Sequence, residues 1–183
     1  MIFELIFLIF PTLASGLAFI LCLKLSQDRF NNPLDFNLKW RGKRLVGSNK
    51  TFKGPICMGI FSMIFGSLTY LVLKDHLVLT ASGILIAVNF LLIGLIYSFS
   101  ELPNSFIKRQ LSIPPGGVHK NQGMRLVFKL VDTFDSLIFI GIAYKLLFNL
   151  QSTTIMLAIL IGGLLHLATD LLMIKLSLKQ KLD

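Results

Sequence analysis

Five separate stretches of this chain each run for roughly 20 residues with almost no charge, the length that carries an α-helix across a bilayer. They are Ile2–Leu23, Pro55–Leu73, Leu77–Phe99, Leu126–Leu150 and Thr153–Ile174. Hydrocarbon offers no partner to backbone N–H and C=O groups, so a chain that enters it must form helices or a closed barrel. Apolar runs of this length read as helices. The five occupy most of the 183 residues and leave no separate soluble domain. The expectation is therefore one all-α integral membrane domain over residues 1–183, with about five transmembrane helices. Composition agrees, since 15% of residues are charged against about 25% in a soluble domain. The first stretch begins with Glu4 rather than a basic segment, and its apolar run is too long for a signal peptide, so it reads as an uncleaved span.

The formal net charge of +9 raises nucleic acid as a partner, but the distribution points to membrane topology. Lys24, Arg29, Lys39, Arg41, Lys43, Arg44, Lys50 and Lys53 follow the first stretch. Lys108, Arg109, Lys120, Arg125 and Lys129 fall between the third and fourth, and Lys175, Lys179 and Lys181 end the chain. Five spans place all three groups on one side, and the positive-inside rule makes that side the cytoplasm. The N-terminus is then outside and the C-terminus inside, in a bacterial or archaeal cell membrane, with no nucleic-acid role. Cys22 and Cys57 fall near the same side, a reducing one, and read as free thiols.

Two cytoplasmic loops, about residues 24–54 and 100–125, are richer in chemistry than linkers need to be. The first is long for a helix connection, and Phe36, Trp40 and Phe52 argue that it is ordered. Its segment "GSNKTFKG" alternates glycine, hydroxyl and base, a composition that builds anion-binding backbone nests, although it lacks the full phosphate-loop spacing. The second loop begins "SELPNSFIKRQLSIPPGG". If the third helix continues through it, Glu101, Ser105 and Lys108 share one face, with Pro103 acting against continuity. Beyond it, Asp132 and Asp135 are three apart and so share a helix face inside an apolar run. Intramembrane acids are costly and normally face the protein interior with a partner. A hard divalent cation such as Mg²⁺ is one such partner; an ion pair with Lys129 or Arg125 is another. Asp170 and His166, four apart, either line the same cavity or pack as a structural pair. Asn89 reads as an interhelical hydrogen bond and Glu4 as an outer-interface residue.

"SFIKRQLSIPPGG" followed by "DTFDS" resembles the signature of the phosphatidate cytidylyltransferases, the CDP-diacylglycerol synthases. That signature reads S-x-x-K-R, a spacer ending in P-G-x-G-G, then D-R-x-D-S. "SELPNS" echoes its upstream G-D-L-x-x-S, and "SNKTFKG" resembles its P-x-K-T-x-E-G. The short chain and "GKRLVGSNKTFKG" are closer still to the compact five-span branch, the CDP-archaeol synthases. The chain departs from the pattern at Ser100, at Glu101 (where the pattern has Asp), at Thr133 (where it has Arg) and in a longer spacer containing His119 and Lys120. The resemblance implies a CTP:lipid-phosphate cytidylyltransferase that uses Mg²⁺ and CTP, releases pyrophosphate and has its active site facing the cytoplasm. It implies that Asp132, Asp135 and Glu101 hold the metal and that Lys108, Arg109 and Ser105 serve the phosphates. It implies further that Asn49, Lys50 and Thr51, with Lys53 and Gly54 beside them, grip CTP. For some members it also implies a homodimer.

Two other classes stand beside this one. A CTP-dependent polyprenol or phytol kinase would need a base for its alcohol, a role open to His119. A small transporter would use Asp132, Asp135, Asp170 and His166 as a cation or proton path, but these acids gather near one interface, and no inverted repeat is visible.

Overall fold

The computed structural model describes residues 1–26, 31–79, 81 and 83–176; Arg29, Lys179 and Lys181 lie outside them. Five long helices dominate: α1 (Ile2–Ser26), α2 (Lys53–Leu73), α3 (Ile84–Ser100), α5 (Gln122–Phe148) and α6 (Ser152–Lys175), with a short α4 (Leu102–Gln110) between α3 and α5. A two-stranded antiparallel hairpin, β1 (Lys39–Trp40) and β2 (Lys43–Arg44), stands in the first loop. Each long helix covers one of the five apolar stretches. The third begins later than expected, because the chain first makes a 3₁₀ turn at Lys74–His76 and an irregular passage up to Gly83.

Among the described residues, four segments are long and apolar enough to cross a membrane: Ile2–Ser26, Lys53–His76, Ile84–Gln110 and Ser152–Lys175. Helix α5 has the length, but Lys129, Asp132, Asp135 and Lys145 interrupt its apolar run. The expected fifth span is thus a helix of the same bundle distinguished by its charges.

Neighbouring contacts run α1–α2, α2–α3, α3–α5, α5–α6 and α6–α1, so the five helices close into a ring. Association of apolar helices in lipid depends on close packing rather than on a hydrophobic drive. An aromatic cluster supplies much of it here. The Phe7 ring meets Phe90 and Phe148 edge-on at 5.2 Å each, and Tyr144 lies beside both Phe90 and Phe148. Such pairs contribute about 0.5–1.5 kcal/mol each beyond burial. The Tyr144 hydroxyl donates to the Leu8 carbonyl at 3.3 Å, in the turn just before Pro11. Asn89 donates to the Leu147 carbonyl at 3.5 Å, and Thr154 donates to Glu4 at 2.9 Å.

Glycine sets the α2–α3 distance. A Cβ on Gly94 would lie 2.3 Å from the Met58 carbonyl oxygen and 2.8 Å from the Gly59 Cα. Backbone cannot yield as a side chain can, so Gly94→Ala pushes the helices apart. The expected cost is about 1–3 kcal/mol, read as a lower thermal midpoint in detergent. Gly16→Ala, whose Cβ meets nothing within 4 Å, leaves the midpoint unchanged or raises it.

Candidate active site

The stretch read as a second loop is half helix. Helix α3 ends at Ser100, and α4 restarts at Leu102 with Pro103 in its first turn, the one helical position where the missing N–H costs nothing. The break is slight: the Ser105 N–H still reaches the Glu101 carbonyl at 3.1 Å. Asn104, Ser105 and Lys108 are the buried residues of α4, whereas Phe106, Ile107 and Leu111 are exposed. The usual amphipathic arrangement is thus inverted, with polar groups inside and apolar groups outside.

Helix α5 supplies the opposite wall. Asn121 caps it, its side chain accepting from the Gly123 and Met124 amides at 2.8 and 3.3 Å. Ten residues in, Asp132 turns toward α4 and takes hydrogen bonds from Lys108 and Asn104. Asn104 also reaches Asp135 at 3.4 Å, and Asp135 accepts from the Ser136 amide at 2.6 Å. The ion pair of Asp132 is therefore with Lys108, rather than with Lys129 or Arg125.

The first loop closes the site from above. Lys50 forms an ion pair with Glu101 across 51 positions of sequence. Burial opposes its charge, but Glu101, Asp135 and Asp132 all face it, and the net effect holds its pKa above the ordinary lysine value. Three carboxylates thus converge electrostatically on one ammonium. The loop is shaped by Asp35, a side chain 1% exposed that sequence reasoning passed over. It pairs with Arg44 and accepts from the amides of Asn37 (3.1 Å), Val46 (3.3 Å) and Gly47 (3.2 Å). Desolvation works to raise its pKa, but Arg44 and the three amides outweigh that and hold it at about 2. Lys43 donates to the Gln110 carbonyl and Gln110 donates to that of Arg44, so the hairpin is fastened to the end of α4.

Together these parts enclose a cavity of about 640 Å³ inside the helix ring. Its mouth carries Asn49, Lys50, Thr51, Gly54, Glu101, Ser105, Asp132 and Asp135. Its depth is apolar, lined by Leu8, Ile9, Leu13, Ile140, Ile155 and Ile159. Asp132 and Tyr144 both line it, twelve residues apart on α5, which is about 18 Å at 1.5 Å per residue. The remaining expected site residues stand behind the wall. Lys108 reaches the cavity through Asp132, Arg109 donates to the Ile113 carbonyl, and Lys53 donates to the Ser26 hydroxyl at 3.0 Å. His119 accepts from the Asn121 amide at 3.1 Å and lies by Phe128, in a small separate depression beside Lys108. His166 and Asp170 share the main cavity. Cys22 and Cys57 are free, with their sulfurs 3.5 Å apart.

Asn104 was also missed as a site residue. Its only signal is its place beside Ser105 in "SELPNS", because an Asn contacting two carboxylates 28 and 31 positions away leaves no local pattern. Among the described residues, no three His, Cys, Asp or Glu side chains stand close enough together to cage a metal ion. Each acid already has a partner: Asn104 bonds Asp132 and Asp135, Lys108 pairs with Asp132, and Lys50 pairs with Glu101. The donor set still suits a hard divalent cation: three carboxylates facing one recess, with room for phosphate oxygens.

Fold and site together define a polytopic helical membrane protein in which a charged recess opens directly into an apolar chamber. A family model described as CarS-like, CDP-archaeol synthase, matches residues 1–182, and the chain belongs to that family. A CDP-archaeol synthase of Pyrobaculum calidifontis is 27% identical over 187 aligned positions, covering 98% of this chain and 97% of the relative. One from Pyrobaculum aerophilum is 28% identical over 162 positions, 85% of each chain. One from Pyrococcus horikoshii is 39% identical over 85 positions, 46% of this chain and 48% of the relative, so that match spans about half its length. No solved structure matches.

Proposed function

We propose that this protein transfers the cytidylyl group of CTP to a membrane lipid phosphate, giving a CDP-lipid of the CDP-archaeol type and pyrophosphate. The observation that carries the reading is the single cavity with a charged mouth and an apolar depth. A nucleoside triphosphate and a lipid phosphate differ in everything but their phosphates, and this cavity offers each a matching region that meets at the carboxylates. The relatives' shared name supports the choice of nucleotide and lipid class.

In this reading a lipid phosphate oxygen bonds to the α-phosphorus of CTP as the bond to the bridging oxygen breaks, and pyrophosphate leaves with that electron pair. The lipid phosphate is already ionised at neutral pH, so no general base is needed. What the chain must supply is position and charge. Asn49, Lys50 and Thr51 hold the triphosphate at the mouth, with Ser105 as a hydrogen-bond donor. Lys108 and Asn104 act through Asp132 by fixing its carboxylate. Arg109 braces the turn after α4 through Ile113. A divalent cation held by Asp132, Asp135 and Glu101 would neutralise the triphosphate. The basic end of the bundle faces the cytoplasm, where CTP is available, with five spans and the N-terminus outside.

CTP labelled at the α- or the γ-phosphate, offered with Mg²⁺ to the detergent-purified protein and a panel of lipid phosphates and polyprenols, tests this. An α-label entering the lipid fraction is the expected result, strongest with a dialkylglycerol phosphate. A γ-label there would make the protein a kinase. Transfer of neither label, with CTP bound, would sink the assignment.

A further inference from the structure

The β1–β2 hairpin carries a surface that the chemistry of the cavity does not use. Phe36, Leu38 and Trp40 are 70%, 58% and 56% exposed, and Lys39 and Arg41 beside them are exposed as well. From Phe36 to Leu45 there are four bases and no acid. The projection is built into the backbone. Arg41 and Gly42 both take positive φ, 51° and 77°, the two-residue turn whose twist suits a hairpin. Phe36 and Asn37 are also left-handed, at 46° and 63°, a conformation that non-glycine residues adopt only when held there. Asp35 supplies that hold through the Asn37 amide and Arg44.

Two attachments fix the height of this hairpin. The Phe36 ring contacts Phe52 at 5.4 Å, immediately before α2 begins at Lys53 and the chain enters a membrane-length segment. The other strand is bonded to the end of α4 through Lys43 and Gln110, and the outer face of α4 is apolar at Phe106, Ile107 and Leu111. Both anchor points therefore lie at the edge of the apolar belt. An exposed Trp flanked by Lys and Arg at that height matches the amphipathic interface layer, where indole rings settle and bases meet phosphates.

We propose that the hairpin is a membrane-contact element: Trp40, Leu38 and Phe36 seat in the headgroup layer of the host bilayer, and Lys39 and Arg41 pair with its anionic lipids. The seat braces the loop that carries Asn49–Thr51 over the cavity. It depends on the chain being membrane-embedded and not on which reaction the cavity performs.

Trp40 is the sole tryptophan, so intrinsic fluorescence reports on this hairpin alone. The full chain would be reconstituted into phosphatidylcholine vesicles with and without phosphatidylglycerol, using lipids brominated on the acyl chain near the headgroup. The expected result is quenching by the brominated lipid, shielding from aqueous iodide, and stronger quenching with phosphatidylglycerol. Lys39→Gln with Arg41→Gln should reduce the ratio of lipid-seated to water-exposed Trp40 by roughly fivefold per base removed, and added salt should mimic that loss. Trp40 open to iodide and unquenched by brominated lipid would overturn the proposal and leave the face to a water-soluble partner. Shielding from both quenchers that grows with protein-to-lipid ratio would also overturn it, in favour of a second copy of this chain.

Discussion

Asp132→Asn lowers cytidylyl transfer by about a hundredfold to a thousandfold, the range seen when one electrostatic stabiliser is removed from a site that holds developing charge. Asn keeps the shape and can still contact Asn104, so the helix ring survives. What disappears is the negative charge that Lys108 faces and that a divalent cation would need. Asp135→Asn gives a loss in the same range, because Asp135 shares both the cavity and Asn104 with Asp132. The measurement is α-label transfer at saturating CTP and lipid phosphate, with thermal unfolding in detergent as the folding control. Activity within a few-fold of the parent in either variant would remove these carboxylates from the chemistry.

Asp35→Ala acts at a distance from the cavity and has the second largest effect. It removes the counter-charge of Arg44 and leaves the Val46 and Gly47 amides without their acceptor. Arg44 keeps about a quarter of its side chain in solvent, so the cost falls below the roughly 3–5 kcal/mol of breaking a fully buried pair, but the segment between Asp35 and Gly47 loses the contacts that shape it. Lys50 then loses its seat opposite Glu101. The expected kinetic signature is a KM for CTP raised more than about tenfold, as binding energy of roughly 1.4 kcal/mol or more is lost, with a smaller change in the KM for lipid phosphate. The pH dependence has a definite sign. The folded pKa of about 2 lies below the ordinary 3.8, so the stabilisation is complete above pH 3.8 and is lost as pH falls through about 2. The difference corresponds to roughly 2 kcal/mol at 1.36 kcal/mol per unit. Hydrogen exchange across the loop should show an acid transition in the parent that Asp35→Asn lacks. A loop equally protected in both proteins would refute the anchoring role.

Much of this architecture is legible along the chain because hydrocarbon is an unforgiving solvent. A run such as Ile2–Leu23 admits few alternatives to a helix, and the acids that interrupt the fourth stretch announce an inward face. The order of "SNKTFKG", "SELPNSFIKRQ" and "DTFDS" was enough to assemble the residues at the mouth of the cavity, since each short motif sits at the end of a span. The fate of the individual charges was less visible. Glu101, Ser105 and Lys108 were expected on one face of a continued helix, and Ser105 and Lys108 are indeed buried together on α4. Lys108, however, is partnered by Asp132 and Glu101 by Lys50. Arg109 and Lys53, read as phosphate ligands, point to Ile113 and Ser26.

Sequence by itself determined the helical segments, the basic end of the bundle and the segments that meet at the mouth of the cavity, because periodicity and charge are local properties of a chain in lipid. Only the tertiary structure decided which acid met which base. Those pairings join residues 24 to 51 positions apart, and a side-chain contact between helices depends on rotation and depth, which no local pattern records. The same reason explains Asp35 and Asn104. Each is an ordinary polar residue in sequence and becomes an organising one only when several donors or acceptors are brought to it by packing.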